Sequence, residues 1–136
     1  MLLFRHERVL FRFGRSLDPV AMRSAGQMNG EARQYEDPDW GPLKALLASD
    51  ELCDYFMWMG DVQLEDGTIL NEYKHRWTRR YLHLTHDRRA FSYAGNDSYE
   101  QLPLYVAVSV VFVDWLCCDP TPTEKAALFK VLIAAG

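Results

Sequence analysis

The feature that most constrains this chain is a change of period around one dipeptide. The run YFMWMGDVQL (residues 55–64) is followed by EDGT and then by ILNEYKHRW (residues 69–77). Asp-Gly between two stretches rich in aromatic and β-branched residues is a strong local signal for a β-hairpin. A two-residue turn at Asp66-Gly67 predicts a register. Leu64 faces Ile69, Val62 faces Asn71, Gly60 faces Tyr73, Trp58 faces His75 and Phe56 faces Trp77. That face is apolar and is expected to meet the core. The other face sets Asp61 opposite Glu72, Met59 opposite Lys74 and Met57 opposite Arg76. A slip of one residue would invert each of these placements.

A second hairpin is predicted from RRYLHL, THDR and RAFSYAG. Leu82 and Leu84 share one face, Tyr81 and His83 the other. Asn96-Asp97-Ser98 reads as a turn before a short strand, YEQL. Upstream, Asp39 is placed to cap a helix beginning WGPLKALLAS, with Pro42 tolerated in the first turn. Asp50 is placed to cap a further short turn through Leu52 and Cys53. Downstream, Pro103 opens a buried segment to about 116, helical although its valines also suit a strand. In the last segment Thr121 or Thr123 caps a helix, with Glu124 in its first turn. The expected architecture is α+β: an antiparallel β-meander of four to five strands, with an N-terminal helix and two C-terminal helices packed on one face. A chain of 136 residues, 49% hydrophobic, can bury such a core as one domain, placed at 28–136.

Residues 1–27 carry five arginines and only Glu7 and Asp18 as acids. Arg5 interrupts the first apolar run, so no secretory h-region forms, and the Arg-rich, acid-poor composition is shared with organellar transit peptides. Val9, Phe11 and Phe13 alternate as in an edge strand, while Met28 offers an alternative start. We expect a loosely docked arm. The run LPLYVAVSVVFVDWLCC is interrupted by Asp114 and falls short of the ~20 residues of a membrane span. A cytoplasmic protein without membrane partners is expected. Cys53, Cys117 and Cys118 show no disulfide-framework or zinc spacing, and read as free thiols in a reducing compartment.

Net charge is −4, but the charges are segregated. Residues 31–72 hold eleven acids against Arg33 and Lys44. Residues 74–89, KHRWTRRYLHLTHDRR, hold six lysines and arginines and three of the four histidines against Asp87 alone. Segregation of this kind orients an encounter with a charged partner. It is equally what neighbouring strands of opposite charge produce when they pair with each other. The expected binding residues are Met57, Met59, Lys74, Arg76, Arg79, Arg80, Arg88 and Arg89, interleaved with Trp77, Tyr81 and Tyr93. Guanidinium groups beside aromatic rings suit phosphates and stacked bases, and methionines on a sheet suit an adaptable protein contact.

The chemistry-bearing alternatives are thinner. Asp61 and Glu72 opposite each other would repel, with Lys74 placed to neutralise them. His75, facing Trp58, reads as a neutral core histidine. His83 and His86 form H-x-x-H, which on a strand points to opposite faces and argues against a metal. A phosphate-ester or phosphodiester hydrolase would use His83 as acid or base and Arg79 and Arg80 to steady negative charge. No activated nucleophile, phosphate loop or nucleotide fingerprint is present, and no cofactor is expected.

The stretch RWTRRYLHLTHDRRAFSY resembles the second and third strands of a pleckstrin-homology-type barrel: a Trp, basic and aromatic residues, a strand, a turn, and a strand ending in an aromatic. The resemblance covers some twenty residues. It implies further strands and one closing C-terminal helix, where this chain has two helical segments. The function expected from these residues is a small non-enzymatic binding domain. Its basic-aromatic strand surface would contact an acidic protein partner or nucleic acid, or associate with a second copy. Beside it stand the hydrolase and an accessory subunit of a larger assembly.

Overall fold

The computed structural model describes residues 6–14 and 37–136. Six antiparallel strands form a closed barrel in sequence order. They are β1 (His6–Gly14), β2 (Phe56–Leu64), β3 (Ile69–His75), β4 (Tyr81–Leu84), β5 (Ala90–Gly95) and β6 (Ser98–Leu102). The helices are α1 (Gly41–Leu47), the single turn α2 (Asp50–Cys53), α3 (Leu104–Phe112) and α4 (Pro122–Ala135), with a 3-10 turn at Trp115–Cys118 between the last two. The α+β fold is therefore present, with β2–β6 as the five-strand meander. The expected arm contributes β1, which pairs with β2 on one side and β6 on the other and so closes the sheet. The rest of residues 1–27 lies outside the described residues.

The helix boundaries follow local chemistry. Thr121 and Glu124 form a reciprocal capping box at the start of α4. Ser49, rather than Asp50, caps α2 through its side chain. Trp40 holds the N-cap position of α1 without a side-chain bond, and Asp39 Oδ1 instead accepts the N–H of Gly41 at 3.0 Å.

The first hairpin corrects the predicted register. Its loop has three residues, Glu65-Asp66-Gly67, not two. Gly67 N–H donates to Leu64 C=O at 2.9 Å, Leu64 N–H donates to Thr68 C=O at 2.8 Å, and Gly67 takes φ +91°. This is a tight turn followed by a left-handed residue, the usual three-residue hairpin loop. The extra loop residue moves each pairing by one: Gln63 faces Ile69, Val62 faces Leu70, Asp61 faces Asn71 and Gly60 faces Glu72. The expected Asp61–Glu72 pair therefore does not exist, and the two carboxylates project to opposite faces of the sheet.

A bulge between Trp58 and Gly60 moves the register once more, so Trp58 faces Tyr73, Met57 faces Lys74 and Phe56 faces His75. Gly60 sits in it at φ +122°, a conformation a side chain resists. The bulge also switches faces. Every second residue of β2 from Phe56 to Leu64 is buried, yet the buried residues serve two cores. Phe56 and Trp58 pack outside the barrel with Tyr73, Leu82, Leu84 and the helices, around Leu43, Val108, Phe112, Trp115 and Leu128. Val62 and Leu64 fill the barrel interior with Leu70, Phe91 and Tyr99, and Val9 of β1 packs against this group.

The three remaining connections use non-glycine residues in left-handed positions. Asn96 and Asp97 both have positive φ between Gly95 and Ser98, as a two-residue turn of the mirror-image type requires. Arg88 takes φ 66° in the β4–β5 turn, and Arg79 takes φ 64° in the β3–β4 loop.

Candidate functional site

The loop joining β3 to β4, Arg76-Trp77-Thr78-Arg79, is built from below by His75. The imidazole is fully buried. It stacks on Tyr55 with ring centroids 5.6 Å apart and meets Phe56 and Phe112 edge-on. Its Nδ1 accepts two successive backbone N–H groups, from Trp77 and Thr78, each at 3.1 Å. An acceptor Nδ1 places the ring proton on Nε2. Burial among aromatic rings lowers the pKa of His75 to about 4, so the ring is neutral at physiological pH.

Further bonds complete the loop. His75 N–H donates to Arg80 C=O at 2.9 Å, and Arg79 N–H donates to His75 C=O at 2.9 Å. Thr78 Oγ1 donates to the Val111 carbonyl at 2.9 Å, which ties the loop to the C-terminal turn of α3. With the backbone held in this way, Trp77 stands out from the surface, 65% exposed.

The expected binding residues divide into three groups. Arg80, Arg88 and Arg89 are engaged within the protein. Arg80 donates to Asp114 Oδ2 through Nε and Nη2 at 3.2 and 3.0 Å. Arg88 Nη1 donates to the Ala45 carbonyl at 3.2 Å, and Arg89 Nε donates to both oxygens of Asp87 at 3.0 Å. The last two also belong to the β4–β5 turn, at the far end of β4, about 10 Å of strand from the β3–β4 loop. Lys74 and Met57 form the second group. They are cross-strand partners, and Lys74 is the partner of Tyr81, so the three make one row at the barrel rim. Lys74 Nζ lies 5.4 Å from the centre of the Tyr81 ring. Met59 is the extra residue of the bulge and is half-buried. Arg76 and Arg79 are the third group. Both are exposed, and neither pairs with a carboxylate among the described residues.

His83 occupies a different place. It is buried on the interior-facing side of β4, with Nε2 3.1 Å from Glu72 Oε2. Tyr99 Oη donates to the same oxygen at 3.1 Å. Tyr81 stacks over the His83 ring from the rim side, and Nδ1 of His83 is buried without a hydrogen-bond partner among the described residues. Arg80, one of the two arginines expected to assist it, is turned instead to Asp114 beyond α3. His86 sits on the exposed β4–β5 turn and meets Asp39 Oδ2 at 2.5 Å. H-x-x-H is thereby split between the barrel and a turn, and no cluster of three or more metal-ligating side chains occurs among the described residues.

Two features escaped the sequence reading. One is the Glu72–His83–Tyr99 group, whose members come from three strands and converge only once the sheet closes, with Glu72 on the same face of β3 as the interior Leu70. The other is Asp61. It lies opposite Asn71, and one carboxylate oxygen is buried without a partner among the described residues. Burial, reinforced by the charges of Asp39 and Glu72, raises its pKa above the usual carboxylate range. Cys53 is buried and its thiol pKa is pushed up to about 11 by burial, whereas Cys117 and Cys118 are exposed.

The chain matches no protein-family model, no curated protein and no solved structure. The stretch that resembled strands two and three of a pleckstrin-homology-type barrel contributes the β3–β4 loop and strands β4 and β5 of this one. Among the described residues, no helix is long and apolar enough to cross a membrane.

Proposed function

We propose that this domain is a non-enzymatic binding module whose β3–β4 loop contacts a polyanionic partner. One observation carries the reading: Arg76 and Arg79 stand exposed, and unpaired among the described residues, on a loop whose backbone is pinned by His75 and Thr78. Unpaired guanidinium groups on an ordered loop offer forked donors to carboxylates or phosphates at little cost in ordering. Between them Trp77 presents an exposed ring, and Lys74 and Tyr81 extend the same chemistry along the rim. The remaining arginines of the segment contribute less, being already bonded to Asp114, Asp87 and the Ala45 carbonyl.

A binding role also agrees with the burial of His83 behind Tyr81, which leaves its imidazole out of reach of a bulky phosphate ester. The test is a titration of the full chain with a labelled hexaglutamate peptide and with labelled single-stranded RNA, at low and moderate salt. Binding that weakens with salt and is lost in the Arg76→Ala/Arg79→Ala variant supports the reading. Absence of binding to both probes at low salt ends it.

A further inference from the structure

The barrel is closed, but one seam is short. The ladder between β4 and β5 holds two pairs, His83 with Phe91 and Leu84 with Ala90. Both strands continue beyond it: β4 remains paired with β3 as far as Tyr81, and β5 remains paired with β6 as far as Gly95. Continued in register, Tyr81 would face Tyr93, yet these two are not joined. Backbone groups on a strand point alternately to its two neighbours. His83 and Phe91 face each other across the seam, so Tyr81 and Tyr93, two residues further on, also turn their backbone groups toward it.

The seam opens into a cleft of about 300 Å³ beside α3. Phe91, Leu102, Ala107 and Val110 give it an apolar wall, and Tyr81 and Ser92 border it. Glu100 also borders it from β6 and is already engaged. At its diverging end the seam leads to the β3–β4 loop, since the position beyond Tyr81 on that side is the Arg79–Arg80 segment.

We infer that this seam accepts an extended acidic peptide as an added strand, with its apolar side chains against α3 and its carboxylates at Arg76, Arg79 and Lys74. The inference rests on the binding role of the basic loop and names the class of its partner. Three features of the same place favour a peptide over a nucleic acid. Strand edges that are unpaired among the described residues supply main-chain donors and acceptors, which a peptide backbone matches and a phosphodiester backbone does not. The apolar wall suits every second side chain of an extended peptide. The cations gathered at one end give such a peptide a direction.

The experiment is a titration of the uniformly 15N-labelled full chain with an octapeptide alternating glutamate and valine. Its lysine–valine counterpart, hexaglutamate and single-stranded RNA serve as comparison probes. The expected result is slowed amide exchange at Tyr81 and Tyr93 with the glutamate–valine peptide only. Affinity should fall about tenfold in Val110→Trp, which fills the cleft from an exposed helix position without altering the sheet or adding charge. Binding of that peptide with no change at Tyr93 and no effect of Val110→Trp overturns the added strand while leaving the basic loop as the site. Binding of RNA but not of either acidic peptide overturns it in favour of a nucleic-acid partner. Failure of all probes removes the loop reading as well.

Discussion

The buried ring of His75 accepts the backbone N–H of Trp77 at 3.1 Å, so a fully enclosed imidazole sets the position of one of the most exposed aromatic rings on the protein. The relationship makes loop geometry depend on a neutral histidine, and that dependence is measurable. His75→Phe keeps the aromatic packing but leaves two N–H groups without an acceptor. A loss of about 2–3 kcal/mol is expected in urea unfolding, with faster amide exchange at Trp77 and Thr78.

The same histidine makes stability depend on pH. Its folded-state pKa of about 4 lies below the 6.5 of an unperturbed imidazole. Its contribution is therefore complete above pH 6.5 and declines as pH falls toward 4, because the unfolded chain takes up a proton that the folded chain refuses. The decline from this group amounts to about 3 kcal/mol. Unfolding midpoints at pH 7 and pH 4.5 should separate more for the wild type than for His75→Gln, in which the amide oxygen replaces Nδ1.

Asp61 acts in the opposite sense. Its raised pKa means the folded protein holds a proton that the unfolded chain has released, so its favourable contribution is present at low pH and is lost as pH rises through the folded-state value. At neutral pH the carboxylate is a partly buried charge with one oxygen unpartnered among the described residues. Asp61→Asn should raise stability at pH 7 by about 1 kcal/mol, with the gain shrinking as the pH is lowered.

Gly60 marks the point where β2 changes faces. A side chain there opposes φ +122° and would favour loss of the bulge. Gly60→Ala should cost about 1–3 kcal/mol. It should also disturb the Glu72–His83–Tyr99 group, since Gly60 is the cross-strand partner of Glu72; the side-chain resonances of His83 report this directly.

Much of the fold was legible before the structure. The turns at Asp66-Gly67 and Asn96-Asp97, a threonine cap beside Glu124 at the start of the last helix and the period of each strand act locally, within a few residues. What was not legible has a common cause. An Asp-Gly pair permits a two- or a three-residue loop, and only the packing of Val62 and Leu70 inside a barrel selects the latter. The bulge at Gly60 hides in the sequence because both cores want the same alternation of apolar residues along β2. Closure by β1 depends on two distant partners. The candidate site was half legible: the basic cluster is visible in residues 74–89, but Arg80 finds Asp114 only after α3 has docked, and His83 finds Glu72 only across the β3–β4 ladder. His83→Gln separates the two roles considered for that residue. It should leave anion binding within about twofold and lower stability, as expected for an interior hydrogen-bonding group.

The most direct test of the central claim is the affinity of the full chain for labelled hexaglutamate at low salt, compared between wild type and Arg76→Glu/Arg79→Glu. Both side chains are exposed and unpaired among the described residues, so the substitutions should leave the unfolding midpoint nearly unchanged. The account predicts a loss of affinity of at least tenfold. Equal affinity of the two proteins would show that the loop is not the binding surface.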